Sequence, residues 1–224
     1  MGEYFDWVNV DKKEFICPND FGCGNKLHES MYRDSEPLLA LHSLLGERWA
    51  GDHILFLGDE CSVPADTHNY VYELLTRQYK LYPDGGFTWD MVFDTYRNIS
   101  GLFKEAENEV RGEIGFFLEE LNNNDADAHN EYGVDINDPF KGLFGMTGSR
   151  RRYVLNHTKR MCYSLEETKI LYMDHTEAGF SDPLPILLCY GRNCEPGTWI
   201  GDRIGVDEEI PEGYTLLKEI FLDW

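Results

Sequence analysis

Tyr4-Phe5-Asp6-Trp7-Val8-Asn9-Val10-Asp11-Lys12-Lys13-Glu14-Phe15-Ile16 and, far downstream, Tyr153-Val154-Leu155-Asn156-His157-Thr158-Lys159-Arg160-Met161-Cys162-Tyr163 follow one pattern. Each is an apolar run, an Asn, two further residues, a basic pair and a second apolar run. Each is followed by a second shared signature, Trp49-Ala50-Gly51-Asp52-His53-Ile54 in one case and Trp199-Ile200-Gly201-Asp202-Arg203-Ile204 in the other. The separations Asn9 to Asp52 and Asn156 to Asp202 differ by three residues. Self-similarity at this level says how a chain is built before it says what the chain does.

Alternating aromatic and β-branched residues around an Asn- and Asp-bearing centre predict a hairpin in each copy. Working outward, 4–60 and 152–210 each read as hairpin, apolar segment, Trp-x-Gly-Asp and strand. Ser35 and Pro37 open a helix that Gly46 stops. Strands are expected at His53–Leu57, Ile170–Met173 and Arg203–Val206, and a last apolar segment at Tyr214–Leu222. Between the copies the pattern turns helical. Asp66–Leu81 carries a helical spacing broken at Pro83-Asp84-Gly85-Gly86, and Trp89–Tyr96 reads as a short helix. Phe103, Ala106, Val110, Ile114, Phe117 and Leu121 recur every three or four residues, with the charges of 104–113 outward. The expected fold is α+β: two related hairpin-plus-strand units, 1–62 and 149–224, around one sheet core, with an inserted helical segment at 63–148. Gly142, Gly145 and Gly148 read as a linker.

The chain has 224 residues, with 41 acidic against 20 basic side chains and a formal charge of −21. A charge of that sign repels phosphate backbones and anionic lipid, which argues against direct nucleic-acid and membrane binding, and it attracts a basic partner. Residues 1–16 carry four acids where a signal peptide needs a basic flank and an apolar stretch. The longest apolar runs are too short to cross a bilayer. Six cysteines without a CxxC pair read as reduced thiols. The expected location is cytoplasmic.

Residue types that carry chemistry are present but weakly patterned. The twin Trp-x-Gly-Asp motifs read first as turns, with a buried Trp, a Gly for the tight bend and an Asp bonded to the turn backbone. Asn9 and Asn156 read as turn residues, and the basic pairs as solvated hairpin tips. The sharper reading brings Asp52 and Asp202 together as an acid–base pair, with His53 and His157 nearby. Cys17, Cys23 and His28 are too loosely spaced for a structural zinc site. The acidic stretch Asp125–Asp138 lacks the glycine and bidentate Glu of a calcium loop. No metal and no cofactor is expected. There is no P-loop, GxSxG elbow, HExxH helix or dinucleotide fingerprint. Acid is concentrated at 105–138 and 207–223, while Arg150-Arg151-Arg152 is locally basic.

The hairpin motifs, Trp49-x-Gly51-Asp52, Asp182-Pro183-Leu184-Pro185 and Trp199-x-Gly201-Asp202-Arg203-Ile204 together resemble a group of uncharacterised bacterial and viral proteins. The resemblance covers both ends and little of the middle, and it implies an architecture without an activity. The leading functional expectation is an acidic protein-binding factor of the inhibitor, immunity or phage–host conflict type. It lacks catalysis and engages a basic protein partner through Asp125, Asp127 and Glu131. The rival is a small enzyme with a carboxylate site at the junction of the repeats.

Overall fold

The computed structural model describes residues 2–63 and 87–223. The helix expected at Asp66–Leu81 lies outside the described residues. Thirteen strands are described: β1 (Phe5–Asn9), β2 (Glu14–Ile16), β3 (Asp52–Gly58), β4 (Ser62–Val63), β5 (Phe87–Thr88), β6 (Arg97–Asn98), β7 (Tyr153–Asn156), β8 (Met161–Tyr163), β9 (Lys169–Tyr172), β10 (Cys189–Tyr190), β11 (Arg203–Asp207), β12 (Thr215–Leu216) and β13 (Glu219–Leu222). The α-helices are α1 (Glu36–Gly46), α2 (Trp89–Thr95), α3 (Glu107–Asn122) and α4 (Leu184–Leu188). The fold is α+β.

Nine strands form one mixed sheet in the order β12-β8-β7-β11-β3-β1-β2-β6, with β10 on β3. Both expected hairpins form, Trp7 opposite Ile16 in the first and Val154 opposite Tyr163 in the second. Each hairpin's first strand then pairs antiparallel with the strand that follows its own Trp-x-Gly-Asp: β1 with β3, and β7 with β11. The units β2-β1-β3 and β8-β7-β11 meet where β3 and β11 run antiparallel, with Arg203 opposite His53 and Ile204 opposite Asp52. β10 extends that edge of β3 in parallel, at Phe56 and Leu57.

Alternation places Phe5, Trp7, Ile54 and Phe56 on one face of the sheet. There α1 covers them with Leu38, Leu41, Leu44 and Leu45, and Trp49 joins the same cluster. Val8, Val10, Phe15, Leu55 and Leu57 occupy the opposite face, under Val92 and Tyr96. The central strands are therefore buried on both sides, and their sequences are continuously apolar for that reason. Pro37 sits in the first turn of α1 with Ser35 at its cap, and the helix ends at Gly46.

The amphipathic segment forms later than its periodicity suggests. Two 3-10 turns, Ser100–Leu102 and Lys104–Ala106, precede α3. Phe103, Ala106, Val110 and Ile114 bury into the same cluster as Trp7 and Trp49, while Phe116 stays 59% exposed. Residues 141–149 are not a linker. Phe144 and Met146 donate backbone bonds to Gly101 and Leu102, and a Cβ on Gly148 would lie 2.8 Å from the backbone nitrogen of Ala40. Gly148 serves close packing on α1, whereas a Cβ on Gly142 or Gly145 would meet nothing within 4 Å, a difference that spacing alone does not show. The apolar run after Pro183 forms a short helix followed by β10. Among the described residues no helix is long and apolar enough to cross a membrane.

Candidate binding sites

The two motifs of each unit meet in space. Asn9 Nδ2 donates to Asp52 Oδ2 at 2.9 Å, and Asn156 Nδ2 donates to Asp202 Oδ2 at 2.7 Å. Each Asn also uses Oδ1 to accept the backbone N–H of the hairpin lysine, Lys12 or Lys159, at 2.9 Å. The same lysine's ammonium closes the triangle on the same carboxylate oxygen. Thus the asparagines do make turns, as expected. The aspartate side chains reach the hairpin asparagines, and Lys12 and Lys159, exposed at the tips as expected, each pair with one of these aspartates. Gly51 and Gly201 make the bend that presents each Asp, at φ 75° and 64°. Such values favour a residue without Cβ.

The correspondence extends one residue further. Asp11 Oδ2 accepts the backbone N–H of His53 at 2.9 Å, and Thr158 Oγ1 accepts that of Arg203 at 2.9 Å. It breaks at the tryptophans. Trp49 Nε1 donates to buried Glu14 at 2.9 Å, and Arg48 pairs with the same carboxylate. The residue at the position of Glu14 in the second hairpin is Met161, and Trp199 instead packs on Tyr163 with ring centroids 5.8 Å apart.

Asp52 and Asp202 therefore each answer to an amide and an ammonium of their own unit. His53 Nδ1 lies 2.8 Å from Asp11 Oδ2, and His157 Nδ1 lies 2.6 Å from the Tyr214 hydroxyl. Burial, with Arg203 adding repulsion, pushes the His157 imidazole below its ordinary range. His53 and His157 thus each have a neighbour outside the Asp52–Asp202 pair. Among the described residues no three His, Cys, Asp or Glu side chains cluster as a metal set.

Asn9 and Asn156 are both fully buried. Asn9→Ala and Asn156→Ala are each expected to destabilise the protein by about 1–3 kcal/mol, because each leaves an aspartate short of a donor and a lysine N–H without its acceptor. Urea unfolding of the two variants checks this. Losses that differ by more than about twofold would show that the two triangles are not energetically equivalent.

The acidic stretch builds a different site. α3 and residues 127–132 enclose a cavity of about 230 Å³ whose wall includes Glu113, Glu120, Asp127 and Glu131, together with Phe93, Phe116 and His129. Phe93 stacks on His129 at 5.0 Å and on Trp89 at 5.3 Å. Asp125 and Asp127 are exposed, but Glu131 turns inward and accepts from Asn98 Nδ2 at 3.0 Å. Asn98 also donates to buried Asp20, which accepts in addition from the Tyr132 hydroxyl. Burial, reinforced by Asp20, pushes Glu131 up to about 7. Burial likewise raises Asp20 and carries Asp6 up to about 7. Sequence reading placed Glu131 on the surface with Asp125 and Asp127. The polar Asn98, 33 residues away, gives no local sign that it reaches Glu131.

A second cavity, of about 450 Å³, gathers Arg33, Arg150, Arg151 and Arg152 with His42 at its wall. The sequence shows three of these arginines side by side, but not Arg33 or His42. Comparison with known proteins returns no match to a family model, a curated protein or a solved structure.

Proposed function

We propose that this chain is an acidic binding protein, of the inhibitor or immunity kind, whose cavity between α3 and residues 127–132 receives a cationic side chain of a basic protein partner. The observation that carries this reading is the composition of the wall. Glu113, Glu120, Asp127 and Glu131 face the cavity with no lysine or arginine among its lining residues, and aromatic faces stand beside them. Carboxylates attract an ammonium or guanidinium by charge, and aromatic faces add about 0.5–2 kcal/mol through the ring quadrupole. The chain's −21 charge steers such a partner from a distance. Phe116, exposed at 59%, gives the approaching chain an apolar contact. Glu131 deepens the selectivity, because a cation beside it favours the ionised form.

A fluorescein-labelled octalysine peptide is a suitable probe, measured by stopped-flow anisotropy. The association rate is expected to fall steeply between about 50 and 300 mM salt, as charges screened beyond about 8–10 Å lose their steering. Replacing Asp125, Asp127 and Glu131 by Asn, Asn and Gln is expected to slow it further. Phe116→Ala, which leaves charge unchanged, should weaken binding several-fold by removing the aromatic contact. Affinity should also rise between about pH 6 and 8, as Glu131 ionises. A rate insensitive to salt and to the triple replacement would overturn the charge reading. Indifference to Phe116→Ala would remove the cavity from it.

A further inference from the structure

We propose that the cavity lined by Arg33, Arg150, Arg152 and His42 binds the phosphate group of a small phosphorylated molecule bearing an aromatic ring. On a chain with twice as many acids as bases, four arginines converge on one cavity of about 450 Å³. That volume falls in the range of small-molecule sites, roughly 300–1,000 Å³. It also lies on a different part of the molecule from the acidic cavity, and the two share no lining residue.

The donors at this cavity are not used up. Arg33 gives its guanidinium to two backbone carbonyls, Gly179 at 3.1 Å and Leu165 at 3.0 Å, and pairs with no carboxylate among the described residues. Its charge is oriented but uncompensated. Arg150 donates Nε to Asp34 and Nη1 to Asp182, while its Nη2 is buried without a partner. His42, 1% exposed, faces Asp182 through Nε2 at 3.6 Å and has no hydrogen-bond partner at Nδ1. Buried polar groups without partners are rare enough to require an explanation, and a small turn of these side chains onto a bound acceptor is one.

The competing carboxylates do not close the site. Asp34 and Glu166 are exposed, at 64% and 74% of their side chains, and Glu167, which takes Arg152 Nη2 at 2.8 Å, is 37% exposed. Exposed pairs of this kind contribute about 0–1 kcal/mol, so an incoming phosphate can displace them. Asp182 is fully buried behind Arg150 and already accepts from Tyr163 and from the backbone of Leu184. It fixes Arg150 in place. Guanidinium groups offer the forked donors that phosphate oxygens accept. Phe180 lines the same cavity at 84% exposure, a large apolar ring without cover that is placed to stack on a planar group.

Isothermal titration of the full chain with adenosine 5′-monophosphate, inorganic phosphate and adenosine tests this. The monophosphate is expected to bind at least about tenfold more tightly than either of the others, since it alone engages both the arginines and Phe180. Arg33→Gln keeps an amide donor for the two carbonyls and removes the charge. It is expected to weaken binding about tenfold or more. Arg152→Ala, at an exposed position, is a second test that leaves the buried network intact, and Phe180→Ala should bring the monophosphate down to the level of phosphate. No heat with monophosphate or phosphate would overturn the proposal. So would adenosine binding as tightly as its monophosphate, or affinity that survives both arginine variants with unchanged melting temperatures.

Discussion

Asp182→Ala is expected to lower the unfolding free energy by about 3 kcal/mol or more, the largest single-residue loss foreseen here. The carboxylate is fully buried and is the meeting point of the second unit's polar interior. It accepts from the Tyr163 hydroxyl at 2.6 Å, from the backbone N–H of Leu184 at 3.0 Å and from Arg150 Nη1 at 3.0 Å. Burial opposes its ionisation, but His42, Arg150 and Tyr163 outweigh burial and hold it well below the usual carboxylate range. Removing it strands a guanidinium, a phenol and the first turn of α4. Because its folded pKa is depressed, the stability that Asp182 provides is present above the unfolded value of about 3.8 and is lost as pH falls below it. Urea unfolding near pH 6 measures the loss. A change under about 1 kcal/mol would mean that water entering the neighbouring cavity solvates Arg150 and makes the pairing dispensable.

The second large effect has the opposite sign with pH. Asp6 and Glu131, both pushed up to about 7 by burial, start from ordinary values of 3.8 and 4.5. The charges of Asp20 and Glu131 face Asp6 and those of Asp20 and Glu113 face Glu131, and the groups that ease their ionisation are Cys17 and Trp89 at Asp6 and Asn98 and Tyr132 at Glu131. Between about pH 4 and 7 the folded state holds protons that the unfolded chain has released. Stability therefore falls as pH rises through that window and levels off above it. At about 1.4 kcal/mol per pKa unit, each carboxyl contributes on the order of 3–4 kcal/mol. The melting temperature is expected to peak between about pH 4 and 5, bounded below by the loss of Asp182, and to drop by about 10 °C or more by pH 8. Asp6→Asn preserves an acceptor for Trp89 Nε1, which lies 3.1 Å from Asp6 Oδ2, and should flatten the slope by roughly half. A melting temperature that stays level or rises from pH 5 to 8 would contradict the buried-acid reading.

Both effects come from side chains that look unremarkable in the sequence. Asp6 sits in an alternating strand pattern where an outward acid is the ordinary reading. The strand is covered on both faces here, and α2 closes over the side that Asp6 occupies. Asp182 precedes two prolines and a leucine, with no local sign of a charged partner. It does cap the first turn of α4 through Leu184, but its charge is answered by Arg150, 32 residues earlier. The acidic stretch 125–138 reads as uniformly solvated. Asp125 and Asp127 keep that character, whereas Glu131 is drawn in by Asn98.

The sequence by itself determined the two hairpins, the strands after each Trp-x-Gly-Asp, helices α1 and α2, and the α+β class. These follow from local alternation, from glycine and asparagine at the bends, and from a cap and a stop, all of which act over a few residues. Only the tertiary structure decided that β3 and β11 join the two units and that each Asp closes on its own Asn and Lys. It also decided that Gly148 and Ser149 pack on α1, and that Arg33 and His42 come to Arg150 across more than a hundred residues of chain. Long-range pairings of polar groups carry no periodicity, since any carboxylate suits any guanidinium. Which ones meet is set by the way the apolar faces are buried.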